Sequence, residues 1–335
     1  MTPRAATSVI EKRSASDFAF AKDFVSGYQS LATLQPLNKG KYRGWFLKNS
    51  DLDACDWTAT EEDMAYPEHP KGAVIFDYEQ IFGRGMSQKR EAGICFRAVR
   101  LQRLNVSPLL IQESGEDSKK LIIGSFDDPL ARAKFDEDKE AHNLALSKGE
   151  EYKRKYTVRT MYCVMILDKN NRRAHKKPIV LTVKGLNGVD LSEKSQAFDR
   201  QIELCYNKAN GEDVAVTFSE EVHALSVFSL SLGTEVAGSN SVEICGIESF
   251  EMPMASTQEE AIESLSKWTI PTEDRESSWA LQKQYQNYIQ AYCEMCAARL
   301  KGSYGIAEGV EILPAARSSK AALPEGNPTG EDASL

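Results

Sequence analysis

YTVRTMYCVMILDKNNRRAHKKPIVLTVKG, Tyr156 to Gly185, is the stretch on which the reading of this chain turns. Tyr156 to Leu167 is rich in Tyr, Val, Thr, Met and Ile, side chains that suit a pleated surface. Alternation puts Tyr156, Val158, Thr160, Tyr162, Val164 and Ile166 on one face and Arg159, Met161 and Met165 on the other. A second apolar run ends at Lys184. Between the two, DKNNRRAHKK carries five Lys or Arg and one Asp. Asn170-Asn171 supplies turn geometry. The stretch predicts a long β-hairpin with a basic tip. Such a tip gains little by folding onto its own core and much beside a polyanion, where each neutralised phosphate releases counterions.

The basic tip stands out because the chain as a whole is acidic, with a formal charge of -8 over 335 residues. From Glu151 to Lys184 there are ten Lys or Arg and two acids, and from Gly83 to Arg103 six basics and one acid. This segregation predicts a basic surface on an acidic body. Apolar residues make up 41%, enough for a substantial core. No apolar run reaches the roughly 18 residues of a membrane helix. MTPRAATSVIEKRSASDFAF has no apolar signal core, so a cytoplasmic, non-secreted protein is expected. Seven dispersed cysteines suggest reduced core thiols.

Working outward, residues 1–30 read as an N-terminal arm, and 31–255 as a β-rich body. Residues 256–302 read as C-terminal helices, and 303–335 as a flexible, Pro- and Gly-rich tail. Tyr42–Lys48, Ala73–Phe82, Ile94–Val106 and Lys119–Phe126 are strand candidates. The acidic stretch Asp51–Glu68 reads as a loop, as does glycine-rich Gly83–Gly93. Arginines on both faces of the Ile94 strand argue against its being buried on both sides. Asp127–Glu150 is a helix or an excursion. An amphipathic helix starts near Leu191, with Asp190 or Ser192 as its cap. His223 falls in an apolar strand, and a capping box is read at Ser256–Glu259. Trp279–Gly302 reads as one helix. Strands and helices do not alternate regularly, which disfavours a doubly wound sheet. The expected class is α+β and β-rich: an OB-like twisted barrel with a long basic hairpin, inserted helices and C-terminal helices.

Catalytic signatures are missing. No G-x-x-x-x-G-K-[ST], G-x-S-x-G or HExxH occurs. Cys293 and Cys296 form a lone i,i+3 pair, short of the four ligands of a structural zinc site. Asp51 and Asp53, or Glu137-Asp138-Lys139 after Asp127 and Asp128, would serve a metal-dependent nuclease only if held rigidly, and both groups fall in stretches read as loop or exposed helix. The expectation is a protein without catalytic, metal or cofactor sites.

Single-strand binding needs cations and stacking faces, the latter worth about 1–3 kcal/mol per base. The candidate contacts are Arg84, Lys89, Arg90, Arg97 and Arg100 in the first basic segment. In the second they are Tyr152, Lys153, Arg154, Tyr156, Arg159, Arg172, Arg173, Lys176 and Lys177. Phe96, Tyr162, Trp45 and Tyr42 are further aromatic candidates, with Tyr152 and Tyr156 the better placed for exposure. The two segments are expected to line one groove.

SLATLQPLNKGKYRGWFL, VKGLNGVD and VHALSVF resemble a family of uncharacterised proteins of cyanobacteria and their mobile elements, over roughly Leu31 to Met252. That resemblance implies no activity. The organisation resembles phage single-stranded DNA-binding proteins, although the ending GEDASL departs from the acidic, aromatic-tipped bacterial tail. The expected function is non-catalytic binding of single-stranded nucleic acid, DNA in the first instance, in replication or recombination and alongside proteins of those processes. The alternative is an assembly protein whose hairpin meets the acidic loop Asp51–Glu68 of a neighbouring subunit. A metal-dependent nuclease comes third.

Overall fold

The computed structural model describes residues 31–38, 42–69, 71–82, 89–114, 122–211, 218–237 and 242–300. The arm, the tail and Arg84 lie outside the described residues. The strands are β1 (Ala32–Leu37), β2 (Gly44–Lys48), β3 (Val74–Phe82), β4 (Lys89–Phe96), β5 (Ala98–Val106) and β6 (Leu110–Glu113). They continue with β7 (Ile122–Ser125), β8 (Tyr156–Leu167), β9 (Ile179–Lys184), β10 (Val227–Ala237) and β11 (Val242–Phe250). The helices are α1 (Asn49–Cys55), α2 (Pro129–Ser147), α3 (Gly185–Ala209), α4 (Glu220–His223), α5 (Gln258–Trp268), α6 (Arg275–Gln284) and α7 (Tyr288–Leu300). The class is α+β and β-rich.

The strands form one large open sheet in the order β11-β10-β5-β8-β9-β1-β2-β4-β3, with β6 pairing β8 and β7. Pairing is antiparallel except between β1 and β9, where Thr33 faces Val180. The expected hairpin is β8–β9, in a register that sets Met161 against Thr182 and Cys163 against Val180. The last eight residues of β8 are buried. On one side Tyr162, Val164 and Ile166 join the main core with Phe198, Ile202 and Phe228. On the other, Cys163, Met165 and Leu167 lie in a layer with Leu225, Ile270, Trp279 and Tyr285. The helices after β11 therefore cover the outer face of the hairpin that carries the basic tip.

Several local expectations shift. Asp127–Glu150 is largely helix: Asp128 caps α2, accepting from Leu130 N at 2.9 Å, with Pro129 at the first position. α3 starts at Gly185, so neither Asp190 nor Ser192 caps it. The capping box is Thr257–Glu260, one residue later than read. Trp279–Gly302 is not one helix, because a turn at 285–287 separates α6 from α7. His223 ends the short helix α4 and bonds Glu203 Oε1 at 2.9 Å, rather than sitting in a strand. Lys89–Gly93, read as loop, is strand.

β5 is buried despite its arginines, since Arg103 is only 6% exposed. Its guanidinium makes a two-pronged bond to Asp199, with Nη1 at 3.0 Å from Oδ2. Phe198 and Phe228 flank it. A cation carrying its own counter-ion can enter a core that an unpaired one cannot. Where β2 meets β4, the backbones approach so closely that a Cβ on Gly93 would overlap Leu47 O. Gly93→Ala is expected to destabilise the chain by about 2–3 kcal/mol. Ala92→Ser, next in the chain but exposed, should be near neutral. Paired urea melts check this.

Candidate nucleic-acid interface

The basic tip does fold onto the chain's own core, contrary to expectation. Ala174 and His175 are each 1% exposed. Ala174 O accepts from Thr58 N and Ala59 N, and Lys176 N donates to Cys55 O at 3.1 Å. The acidic stretch after α1, read as a bare loop, is the surface on which the tip rests. Lys177 Nζ lies 3.0 Å from Asp56, and Lys169 Nζ 3.7 Å from Glu62. Arg172 faces Glu273 at 3.6 Å, exposed on both sides. Arg173 bonds Gln102 Oε1 at 3.3 Å and Ser278 Oγ at 2.5 Å, half-buried. The acidic complement expected on a neighbouring subunit thus serves the hairpin of its own chain.

Arg100 joins these pieces. Its Nε and Nη2 donate to the two oxygens of Glu68 at 3.0 and 2.9 Å. Its Nη1 donates to Lys169 O and Asn171 Oδ1, and its plane lies over Tyr66. His175 fixes the other side of the tip. Its Nε2 accepts from Ile166 N at 2.8 Å, so Nδ1 carries the proton and donates to Lys177 O at 2.7 Å. The ring stacks on Trp57. Burial pushes the imidazole down to about 4.

The first basic segment is similarly engaged. Lys89 opens β4. Arg90 is exposed and lies 3.7 Å from Glu79. Arg97 donates to Lys71 O at 2.8 Å and to Gly72 O. Trp45, Phe96 and Tyr162 are buried to 3% or less, so none offers a stacking face. Tyr42 is half-buried beneath Arg97.

The arrangement before β8 is different. Asp138 of α2 accepts from Tyr152 Oη at 2.8 Å, Arg154 Nε at 3.0 Å, Lys155 N at 3.1 Å and Tyr156 N at 3.2 Å. Burial raises this carboxyl. The bonds from the Lys155 amide, Tyr152, Arg154 and the Tyr156 amide outweigh burial and hold it below the usual range. Arg154 is consumed, 8% exposed, with Phe135 beneath it. Its neighbours Lys153 and Lys155 are exposed, and Tyr152 and Tyr156 are half-exposed, as expected of them. Arg159, half-buried on β8, faces exposed Lys184 of β9 across the ladder.

The two basic segments meet at Arg100, which bonds Lys169 O and Asn171 Oδ1 of the tip. β4 and β5 run on from one another, with Arg97 alone between them. Tyr162 pairs with Val106 at the far end, and Tyr156 lies beyond it. Arg90 and Val106 are therefore about 50 Å apart along the strand path, with the tip near the middle at Arg100. Sequence reasoning missed Lys155 and Lys184. The run Lys153-Arg154-Lys155, one residue buried and two exposed, offered only a short alternation as a signal. It also missed the pairing of Glu68, Asp138 and Asp199 with Arg100, Arg154 and Arg103, each far in sequence from its acid.

Of the nuclease candidates, Asp128 is spent as a helix cap, and Asp53 and Glu137 are exposed. Among the described residues no three His, Cys, Asp or Glu are grouped to share a metal ion. Cys55, Cys95, Cys163, Cys205 and Cys245 are buried free thiols. Burial pushes Cys55, Cys95, Cys163 and Cys245 up to about 12. No described helix is long and apolar enough to cross a membrane.

Residues 29–290 match the family described as Domain of unknown function (DUF5895). The chain belongs to that family. Its match begins just before β1 and ends at the start of α7, so the sheet and most of the helical cover are family features. No curated protein and no solved structure matches the chain.

The His175 geometry sets a pH dependence. The unfolded chain takes up a proton as pH falls below the ordinary histidine value of 6.5, while the folded chain resists until about 4. The contribution is complete above about pH 6.5 and is lost as pH falls toward 4, at a cost on the order of 3 kcal/mol. His175→Phe should lower stability at pH 7 but flatten its dependence between those limits. Urea midpoints across the range measure this, and an unflattened profile refutes the assignment.

Proposed function

We propose that the chain is a non-catalytic single-stranded nucleic-acid-binding protein that contacts its strand through residues 151–156 and the adjoining end of β8–β9, not through the hairpin tip. The observation that carries this is the Asp138 clamp. It holds the short segment that leads into β8, with Lys153 and Lys155 exposed and the rings of Tyr152 and Tyr156 half-exposed beside them. Exposed cations next to aromatic faces are the two requirements of sequence-tolerant strand binding. At the tip the aromatic faces are buried and most cations are paired within the chain. Lys184 extends the basic surface from the next strand.

The same reading takes β4, Arg97 and β5 as one bent strand of an OB-like barrel. Arg97 N donates to Ala73 O, and Arg97 O accepts from Leu232 N, so the corner is bonded on both sides. Counted that way, the open path β5–β8–β9–β1–β2–β4 would end on the strand from which it began, with β3, β10 and β11 as outgrowths. In barrels of this type, connections between strands are frequent nucleic-acid contacts. Here the connection from β5 to β8 spans 107–155 and ends in the clamped segment.

Fluorescence anisotropy with a labelled mixed-sequence oligonucleotide tests the assignment. Lys153→Glu with Lys155→Glu should weaken binding roughly tenfold or more, and should reduce the salt slope by about 1.4, the value for two single-strand phosphates. Lys176→Glu with Lys177→Glu should change it little. The reverse ranking would return the contact to the tip, and no binding by the wild-type chain would remove the reading.

A further inference from the structure

We infer that a cleft at the other end of β10–β11 receives one unstacked nucleobase, and that it selects bases carrying an exocyclic amino group. This deepens the strand-binding reading and rests on it only for the source of the base. The cleft has a volume of about 170 Å³ and is lined by Glu68, His69, Ser229, Ser231, Phe250 and Glu251. Ligand pockets for drug-sized molecules start at roughly 300 Å³, so the space suits a single flat ring system. Its walls are built and fixed. Ser231 pairs with Ser249 across the ladder, and Glu251 N donates to Ser229 O at 3.2 Å. Arg100 immobilises Glu68, and buried Ser229 donates to Glu68 Oε1 at 3.3 Å. Ser231 Oγ and His69 Nε2 lie 3.4 Å apart. Lys267 holds one oxygen of Glu251 at 2.9 Å. Phe250 is half-buried, its ring braced edge-on against Phe228.

The lining decides the chemistry. Glu68 and Glu251 only accept hydrogen bonds, whereas the serine hydroxyls and the imidazole can donate or accept. Two carboxylates repel phosphate, so a backbone does not enter. A base edge with an amino group satisfies a carboxylate, as glutamate accepts from the amino group of cytosine. Uracil and thymine present a carbonyl oxygen there and leave two acceptors facing each other, an unpaired arrangement that costs affinity. Phe250 supplies apolar ring contact.

The test is nuclear magnetic resonance of the full chain titrated with cytidine, adenosine or uridine at millimolar concentration. Cytidine and adenosine should shift the amides of Ser229, Ser231, Ser249 and Phe250 saturably, and uridine should bind roughly tenfold more weakly or worse. Glu251→Gln alters a partly exposed side chain, so the fold should survive it, and its amide can donate. It should raise uridine affinity toward that of cytidine. Equal shifts from all three nucleosides, or none, overturn the proposal, as does a Glu251→Gln chain with unchanged preference. If cytidine binds in the cleft while the wild-type chain binds no oligonucleotide, the cleft stands and the strand-binding reading falls. If Lys153→Glu with Lys155→Glu abolishes oligonucleotide binding but leaves the cytidine shifts intact, both stand.

Discussion

Arg100 and Glu68 form the contact on which the middle of the molecule depends. An arginine on a strand near the core must bring its charge out of water, at several kcal/mol unless it is fully paired. Arg100 meets that requirement with two bonds to Glu68, a carbonyl and an amide oxygen of the tip, and the face of Tyr66. Satisfying one guanidinium therefore draws together β5, the stretch after α1 and the β8–β9 turn. Tyr66 Oη then reaches Leu167 O at 2.7 Å, closing the same circuit at the end of β8. Losing Glu68 alone would leave Arg100 half-paired in a largely buried site, which is worse than losing both.

This network explains which parts of the fold could be read in the sequence. The β8–β9 hairpin, its alternation and the amphipathic stretch Phe198–Cys205 follow from local periodicity, which survives any tertiary context. The fate of the basic tip does not. Arg103 meets Asp199 and Arg100 meets Glu68 across intervals that no window of sequence spans, so counting charge in a run treated paired cations as available ones. The helix boundaries failed for a smaller reason. Asp190 and Ser192 resemble caps, but α3 starts at Gly185 directly from β9, and packing of Leu191 and Phe198 on the core overrides the weak local preference. The run Ile94–Val106 reads as one strand through Arg97, and the break there between β4 and β5 was invisible because Arg97 fits the strand's alternation and marks no corner.

The tip and the clamped segment before β8 are nearly alike in composition and opposite in outcome. At the tip, acids are spread along a facing surface, and Lys169, Arg172 and Lys177 each find one, while Arg173 bonds Gln102 and Ser278. Before β8 a single buried carboxylate, Asp138, takes the side chain of Arg154 and two backbone amides. It thereby fixes the chain with Arg154 turned inward and the residues on either side of it exposed. One acid thus neutralises one cation and exposes two. The Tyr152 hydroxyl is tied to the same carboxylate, so its ring is held before any ligand arrives. A base stacking on a ring already held loses less freedom on binding than one that must first order a mobile side chain. The low proton affinity of Asp138 has the same consequence, because the carboxylate that orders the segment stays ionised well below neutral pH. In the proposed strand contact the exposed lysines would act from a rigid segment, and their electrostatic contribution would add to stacking instead of being spent on ordering the chain.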